Sequence, residues 1–404
     1  MEKKLLKAMF FLLTVNIIYG TPASQYVDIT SVTGITTTNT KSSGAGAMAI
    51  GPASEAHGPN SIAIGNGAKT EFFPEGNHEK IVAFGRTKDK LSGGIAIGNK
   101  THARVGTIDI GHRDITGAIG DWNAQGSKSD LLDRISTTTV GDNSINRGNF
   151  SSIFGAYNII SKRPRVNGKG ILGFISNSTA ATQGLGSVIT GTLNSIEGNE
   201  QKLNYAGLAS IVSGTANKIS KSNGVAIIGV GNEVSNSYLT PNSEKLFNAF
   251  LTGGGSSNIK EFADTFREFS NEVELGSVGI TGGANKVDFA LFSNITGVGN
   301  KLIGSGARLN LTLNSNNTQA ASDKFSTFNN ILGYKNTLED VNHLILIGSS
   351  NNVTTATSNL VFGNNHILKG TADAKAEGNI VLGFNTTKEE SNFKVSGKNI
   401  VAVG

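Results

Sequence analysis

One short phrase recurs along the chain: three to five apolar or small residues, then a glycine. It appears as Met48-Ala49-Ile50-Gly51, Ser61-Ile62-Ala63-Ile64-Gly65, Val82-Ala83-Phe84-Gly85 and Ile95-Ala96-Ile97-Gly98. Later copies close on Gly155, Gly191, Gly214, Gly229, Gly348, Gly363, Gly383 and Gly404. About twenty such glycines occur, the closest copies about 13 to 15 residues apart. A chain built from one repeated unit folds by stacking it, so that each coil touches only its neighbours.

A second phrase follows many of the glycines, with asparagine ahead of an aliphatic residue, as in Asn217-Lys218-Ile219, Asn232-Glu233-Val234, Asn285-Lys286-Val287, Asn300-Lys301-Leu302 and Asn351-Asn352-Val353. Short β-branched runs bounded by Gly and Asn are strand signals, and Gly or Asn supplies a corner with positive φ. The unit therefore reads as strand, glycine turn, shorter strand, polar turn. The fold class this predicts is all-β, a β-solenoid. At about 4.8 Å per coil, about twenty coils make a rod of roughly 95 Å.

The strand pattern bears on assembly. In Ile62-Ala63-Ile64 the isoleucines share one face and are expected to fill the lumen, with alanine outside. In Leu344-Ile345-Leu346-Ile347 and Val225-Ala226-Ile227-Ile228 both faces are apolar. Such strands need cover on both sides, and a thin solenoid covers only one, which predicts a homo-oligomer.

Composition narrows the function. With 52 glycines but only 6 prolines, collagen and proline-rich disorder are excluded. The formal charge of +5 is too small and scattered for a nucleic-acid footprint. With no cysteine there is no disulfide framework, thiolate zinc site or cysteine nucleophile. Lys3, Lys4 and Lys7 precede an apolar run from Ala8 to Tyr19, with small residues at Gly20 and Ala23. This reads as a signal peptide over residues 1–20, cleaved as late as 23, because about twelve apolar residues are too few to span a bilayer. A lead-in segment, 21–43, and a repeat domain, 44–404, follow.

Ser61 to Ala68, Ser-Ile-Ala-Ile-Gly-Asn-Gly-Ala, resembles the head repeat of trimeric autotransporter adhesins with YadA-type heads, as do Gly44 to Pro52 and Gly94 to Asn99. The resemblance covers residues 44–404. It implies a homotrimer of left-handed parallel β-rolls, exported by type V secretion to a bacterial outer membrane. Many units here are longer than the family's compact repeat, so inserted loops and one or two short helices are expected. It also implies a host-cell surface protein as partner. Within the family the chain is similar to the fusobacterial members that bind CEACAM-family receptors, while other members bind collagen or fibronectin. The coiled-coil stalk and membrane β-barrel of the family have no matching pattern here, so the chain reads as a head fragment. The resemblance implies no cofactor.

Recognition is expected where the repeat is interrupted, near 70–80, 121–134, 238–275 and 308–329. The first interruption carries Phe72 and Phe73, and the second Trp122, the only tryptophan and a residue type enriched in interface hot spots. These three are the receptor-contact candidates, although packing over the roll's open end or a neighbouring subunit is the simpler account of Phe72 and Phe73, and a local core plug that of Trp122. Ser129 to Ile135 is a helical candidate. The third interruption places Phe262, Phe266, Phe269 and Val273 at helical spacing. The fourth is polar and asparagine-rich. The structural glycines are Gly51, Gly65, Gly85, Gly98, Gly214, Gly348, Gly363 and Gly383. Lys162-Arg163-Pro164-Arg165 is a short basic loop.

No catalytic constellation emerges. Gly168 to Gly173 matches G-x-G-x-x-G, but its last glycine closes a repeat strand instead of opening a helix. His102 and His112 fall in successive repeats with no third ligand in view, so no metal is assigned. A secreted β-helix polysaccharide lyase or hydrolase is the enzyme alternative. It needs paired carboxylates at one cleft, and the repeat strands carry almost none.

Overall fold

The computed structural model describes residues 40–70, 93–103, 106–112, 115–116, 137–146, 148, 151–161, 184, 186–197, 207–238, 264, 267, 277–308, 324–385 and 394–404. Every strand pairing among them is parallel, and each joins one coil to the next. The glycine-bearing strands form one continuous row of sixteen rungs, from Met48–Ile50 through Ile95–Asn99, Val225–Val230 and Asn330–Tyr334 to Val401–Val403. Fifteen spacings of about 4.8 Å give this row a length of about 72 Å. A second row begins at Lys41–Ser43 and continues through Lys218–Ser220 and Lys286–Asp288 to Lys394–Val395. The β-solenoid reading holds. Copies such as Val82 to Gly85 lie outside the described residues, as do the signal peptide and the helical candidate at 129–135.

From residue 290 the coil gains a third short strand, at Ala290–Leu291 and Ser326–Thr327, then within Thr337–Ser349 and Asn352–Asn364, then at Ala376–Glu377. The expected unit of two strands therefore describes only the earlier coils.

The glycines stay in register, Gly98 opposite Gly111, Gly214 opposite Gly229 and Gly348 opposite Gly363. They are not the turns that the sequence suggested. Gly98 and Gly348 lie inside strands, and the chain turns two residues later, where Lys100, Asn143, Tyr157, Leu193 and Ala216 hold φ between 48° and 62°. The glycine answers a close approach: at Gly348 φ is +146°, and a Cβ there would overlap the carbonyl oxygen of Gly363. Column after column, a glycine's missing side chain is replaced by the next coil's backbone.

The interior falls into two parts. In the first coils Ala56, Ala63, Ala68, Ala96 and Ala103 pack together, all fully buried. From Ile153 onward the lumen is filled by Ile, Val and Leu, among them Ile189, Ile227, Ile295, Leu302, Leu346 and Val361. Between them lies a polar belt, where Asp109, Thr139 and Asn146 point inward and are buried. Asp109 Oδ2 accepts from the His102 backbone N–H at 2.7 Å, and Asn146 Oδ1 accepts from Ser151 Oγ at 2.6 Å. The expectation for Ile62-Ala63-Ile64 is thus reversed. Ala63 faces the lumen, and both isoleucines face out at intermediate burial. The early lumen is filled by small side chains, the alanines and Thr70, and leaves the isoleucines outside.

The asparagines that sequence reading placed in polar turns are buried instead. Asn158, Asn194, Asn217, Asn232, Asn285, Asn300, Asn336 and Asn351 occupy one column, each at most 1% exposed. Each backbone N–H after the first donates to the preceding Oδ1, as Asn232 does to Asn217 at 3.0 Å. Each Nδ2 reaches the carbonyl of a row glycine, as Asn300 Nδ2 does to Gly333 at 2.9 Å. This ladder satisfies backbone groups at the corner that no strand partner reaches.

Helix is scarce among the described residues. One turn spans Ser305–Arg308, and Asp264 and Arg267, inside the stretch expected to be helical, are both helical and form an exposed ion pair. None of the described helices is long and apolar enough to cross a membrane.

Candidate functional site

The two rows differ on their outer faces. The second row is solvated and laced by ion pairs between rungs: Lys69 with Glu55 at 3.3 Å, Lys218 with Glu197 at 3.6 Å and Lys286 with Glu233 at 3.8 Å. Glu55 is the centre of a small network. Its Oε2 also meets His57 Nε2 at 3.2 Å, and His57 Nδ1 lies 2.7 Å from Ser43 Oγ, so three successive rungs are tied together. Burial raises the Glu55 pKa, but the His57 hydrogen bond and the Lys69 charge outweigh it and hold the carboxyl below its usual range.

The glycine row faces outward with apolar side chains. The residue just before each row glycine points away from the lumen, and this column includes Ile50, Ile64, Ile97, Ile110, Val140 and Phe154 in the early coils. Ile347 and Phe362 hold the same position in late coils, at 37% and 42% exposure. The middle of the column is more polar, with Thr190, Ser213, Thr281 and Thr296. The strands read as apolar on both faces behave as expected: Leu344 and Leu346 are buried, while Ile345 and Ile347 are uncovered.

Two corners border this face, and both carry side chains that the repeat does not require. On the side leading into the strand, Phe292, Phe328 and His343 stack on successive rungs, with ring centroids 5.1 and 4.9 Å apart and planes within 18°. All three hold positive φ, between 49° and 56°. On the side leaving the strand, Val298 and Tyr334 are about half exposed, and the Lys335 ammonium lies 4.9 Å over the Tyr334 ring. Sequence reading passed over these residues and took 308–329 as featureless. The available signal was spacing, since Phe292, Phe328 and His343 each stand five residues before a row glycine: Gly297, Gly333 and Gly348.

Of the contact candidates, Phe72, Phe73 and Trp122 lie outside the described residues, as do Gly85, the Gly168 to Gly173 match and the basic loop at 162–165. Gly51, Gly65, Gly98, Gly214, Gly348, Gly363 and Gly383 all take their places in the glycine column. His112 pairs with Asp142 at 2.7 Å across adjacent rungs. Among the described residues no three His, Cys, Asp or Glu side chains gather to hold a metal ion. The arrangement offers surface for binding and assembly.

Residues 42–68 match the family model of the YadA head domain repeat, in two copies. The matched segment lies in the alanine-cored coils. No curated protein matches the chain.

Proposed function

We propose that this chain, which carries YadA-type head repeats, is the head of a trimeric autotransporter adhesin, exported and displayed on a bacterial surface, where it binds a host-cell surface protein. The outward apolar column of the glycine row carries this reading. One roll leaves Ile110, Val140, Phe154, Ile347 and Phe362 in water, and three copies packed around an axis parallel to the stack cover that face for one another. The solvated second row then faces outward, and loops at the interruptions are repeated three times around the axis. Avidity follows from that repetition without any new contact.

The receptor contacts proposed are Phe72, Phe73 and Trp122, aromatic residues in loops that interrupt the repeat. A CEACAM-family receptor is the first partner to test, with collagen and fibronectin as matrix alternatives. Residues 21–404 are expected to elute with the light-scattering mass of three chains and to bind host cells. A monomeric mass would overturn the assembly. A trimer in which alanine at all three aromatic positions leaves cell binding within about threefold would overturn the contact assignment.

A further inference from the structure

The trimer reading states that copies pack through the glycine row but not which residues meet where one copy ends and the next begins. We infer that the seam is heterologous: the Phe292–Phe328–His343 stack of one chain seats against Val298, Tyr334 and Lys335 of its neighbour. The inference rests on the trimer reading and adds its contact register.

The first ground is the backbone. Among the described residues, the corner five residues before a row glycine holds positive φ at every rung except that of Gly93, and elsewhere small or turn-forming residues fill it: Gly46, Asn60, Gly186, Gly224, Ser358 and Gly378. These accept a left-handed conformation with little strain, whereas a bulky ring there is an outlier. Three consecutive rungs nevertheless carry rings. Their mutual stacking explains the contacts along the column, but Phe328 remains 50% exposed, with its ring edge in water.

The second ground is height. A rotation about an axis parallel to the stack has no translation along it, so each rung meets the same rung of the neighbour. Three sheets facing a common axis join edge to edge, the entering edge of one against the leaving edge of the next. Rung Asn330–Tyr334 then brings Phe328 against Tyr334 and Lys335, and rung Ser293–Val298 brings Phe292 against Val298. His343 meets Ser349 and Ser350. Val298 and Tyr334, at 47% and 46% exposure, thus fall at the heights of the partly buried Phe292 and the half-exposed Phe328.

Charge agrees. Neither edge carries a carboxylate at these three rungs, so the Lys335 ammonium keeps the Tyr334 ring face of its own chain, 4.9 Å from the centroid, and meets no acid across the seam.

The absence of cysteine makes the test direct. The double variant F328C/Y334C is oxidised mildly and run on a denaturing, non-reducing gel. An intrachain bridge is out of reach, because six extended residues separate the two positions by roughly 20 Å and a disulfide needs Cα atoms within about 7 Å. The expected result is a covalent species of three chains from the double variant, while F328C and Y334C alone run as single chains. F292C/V298C, one rung away, should behave alike, and circular dichroism of the reduced proteins checks that each is folded. Self-linking of F328C would overturn the seam by making the edge isologous. A double variant that stays single on the gel but weighs three chains by light scattering would overturn the seam and leave the trimer standing. A mass of one chain for the unmodified protein would remove the trimer and the seam with it.

Discussion

The side chain of Asn217 bridges three coils: its Nδ2 donates to the Gly229 carbonyl at 2.7 Å in the next coil and to Asn194 Oδ1 at 3.0 Å in the preceding one. Its own Oδ1 accepts from the Asn232 backbone and side chain at 3.0 and 2.9 Å. Replacing Asn217 with alanine leaves the Gly229 carbonyl and the Asn232 amide unsatisfied in a dry corner. Each such group costs about 1–3 kcal/mol, so N217A is expected to loosen coils 194–232 by at least that much. Because coils contribute nearly independently, native-state amide exchange is the measurement. Protection should fall around residues 211–235 and stay unchanged beyond residue 330.

His366 continues this ladder with a different side chain. Its backbone N–H donates to Asn351 Oδ1 at 2.9 Å, and Nε2 meets the Gly383 carbonyl at 2.8 Å, where an asparagine would place Nδ2. The imidazole is 1% exposed. Asparagine supplies the same donor, so H366N should change stability by less than about 1 kcal/mol, whereas H366L forfeits the Gly383 bond and should cost about 1–3 kcal/mol. Equal losses in urea unfolding of the two variants would show that ring packing, not the hydrogen bond, holds this position.

Glycine is replaceable at some positions of the repeat and not at others. At Gly348 a Cβ would overlap the Gly363 carbonyl, and φ is +146°. At Gly231 φ is +66° and no atom lies within 4 Å of the Cβ position. G231A then costs only the left-handed conformation, about 1 kcal/mol. G348A must also separate two coils, breaking strand pairing on either side, and is expected to cost more than about 4 kcal/mol, a loss confined to special mechanisms. Thermal melts should place the two variants several degrees apart.

The repeat, its strands and its uncovered second face were legible in the sequence because each has a period. The direction of the side chains was not. Alternation in Ile62-Ala63-Ile64 defines two faces without saying which is inside, and burial preference alone puts isoleucine in the lumen. The lumen's width decides otherwise, and width depends on neighbouring coils. The same limit hid the asparagine ladder, whose residues read as turn formers until a stack of coils buries them. Phe328 went unnoticed because its corner role appears only when coils are aligned on their glycines. Two substitutions probe the lumen. A63I should overpack the early coils at a cost of about 1–3 kcal/mol, and I227A should open a cavity in the later ones at about 2–5 kcal/mol. If A63I were neutral, the early lumen would have room that the packing of Ala56, Ala63 and Ala96 denies it.

Acid should loosen the first coils through Glu55. Its carboxyl joins Lys69 and His57 and titrates below the ordinary 4.5, because those partners outweigh the rise from burial. A carboxylate whose folded pKa is depressed contributes stability that is fully present above its unfolded pKa. That contribution is lost as pH falls through the folded value. The window is therefore below about pH 4.5, and neutral pH leaves the network intact. Glu55 is partly exposed, so the ion pairs contribute little, less than about 1 kcal/mol. Amide exchange of residues 41–70, corrected for intrinsic rates, should show wild-type protection falling between pH 5 and 3. In E55Q it should start slightly lower and stay flat over that range. If both proteins lost protection together, a carboxylate other than Glu55 would govern the acid response of these coils.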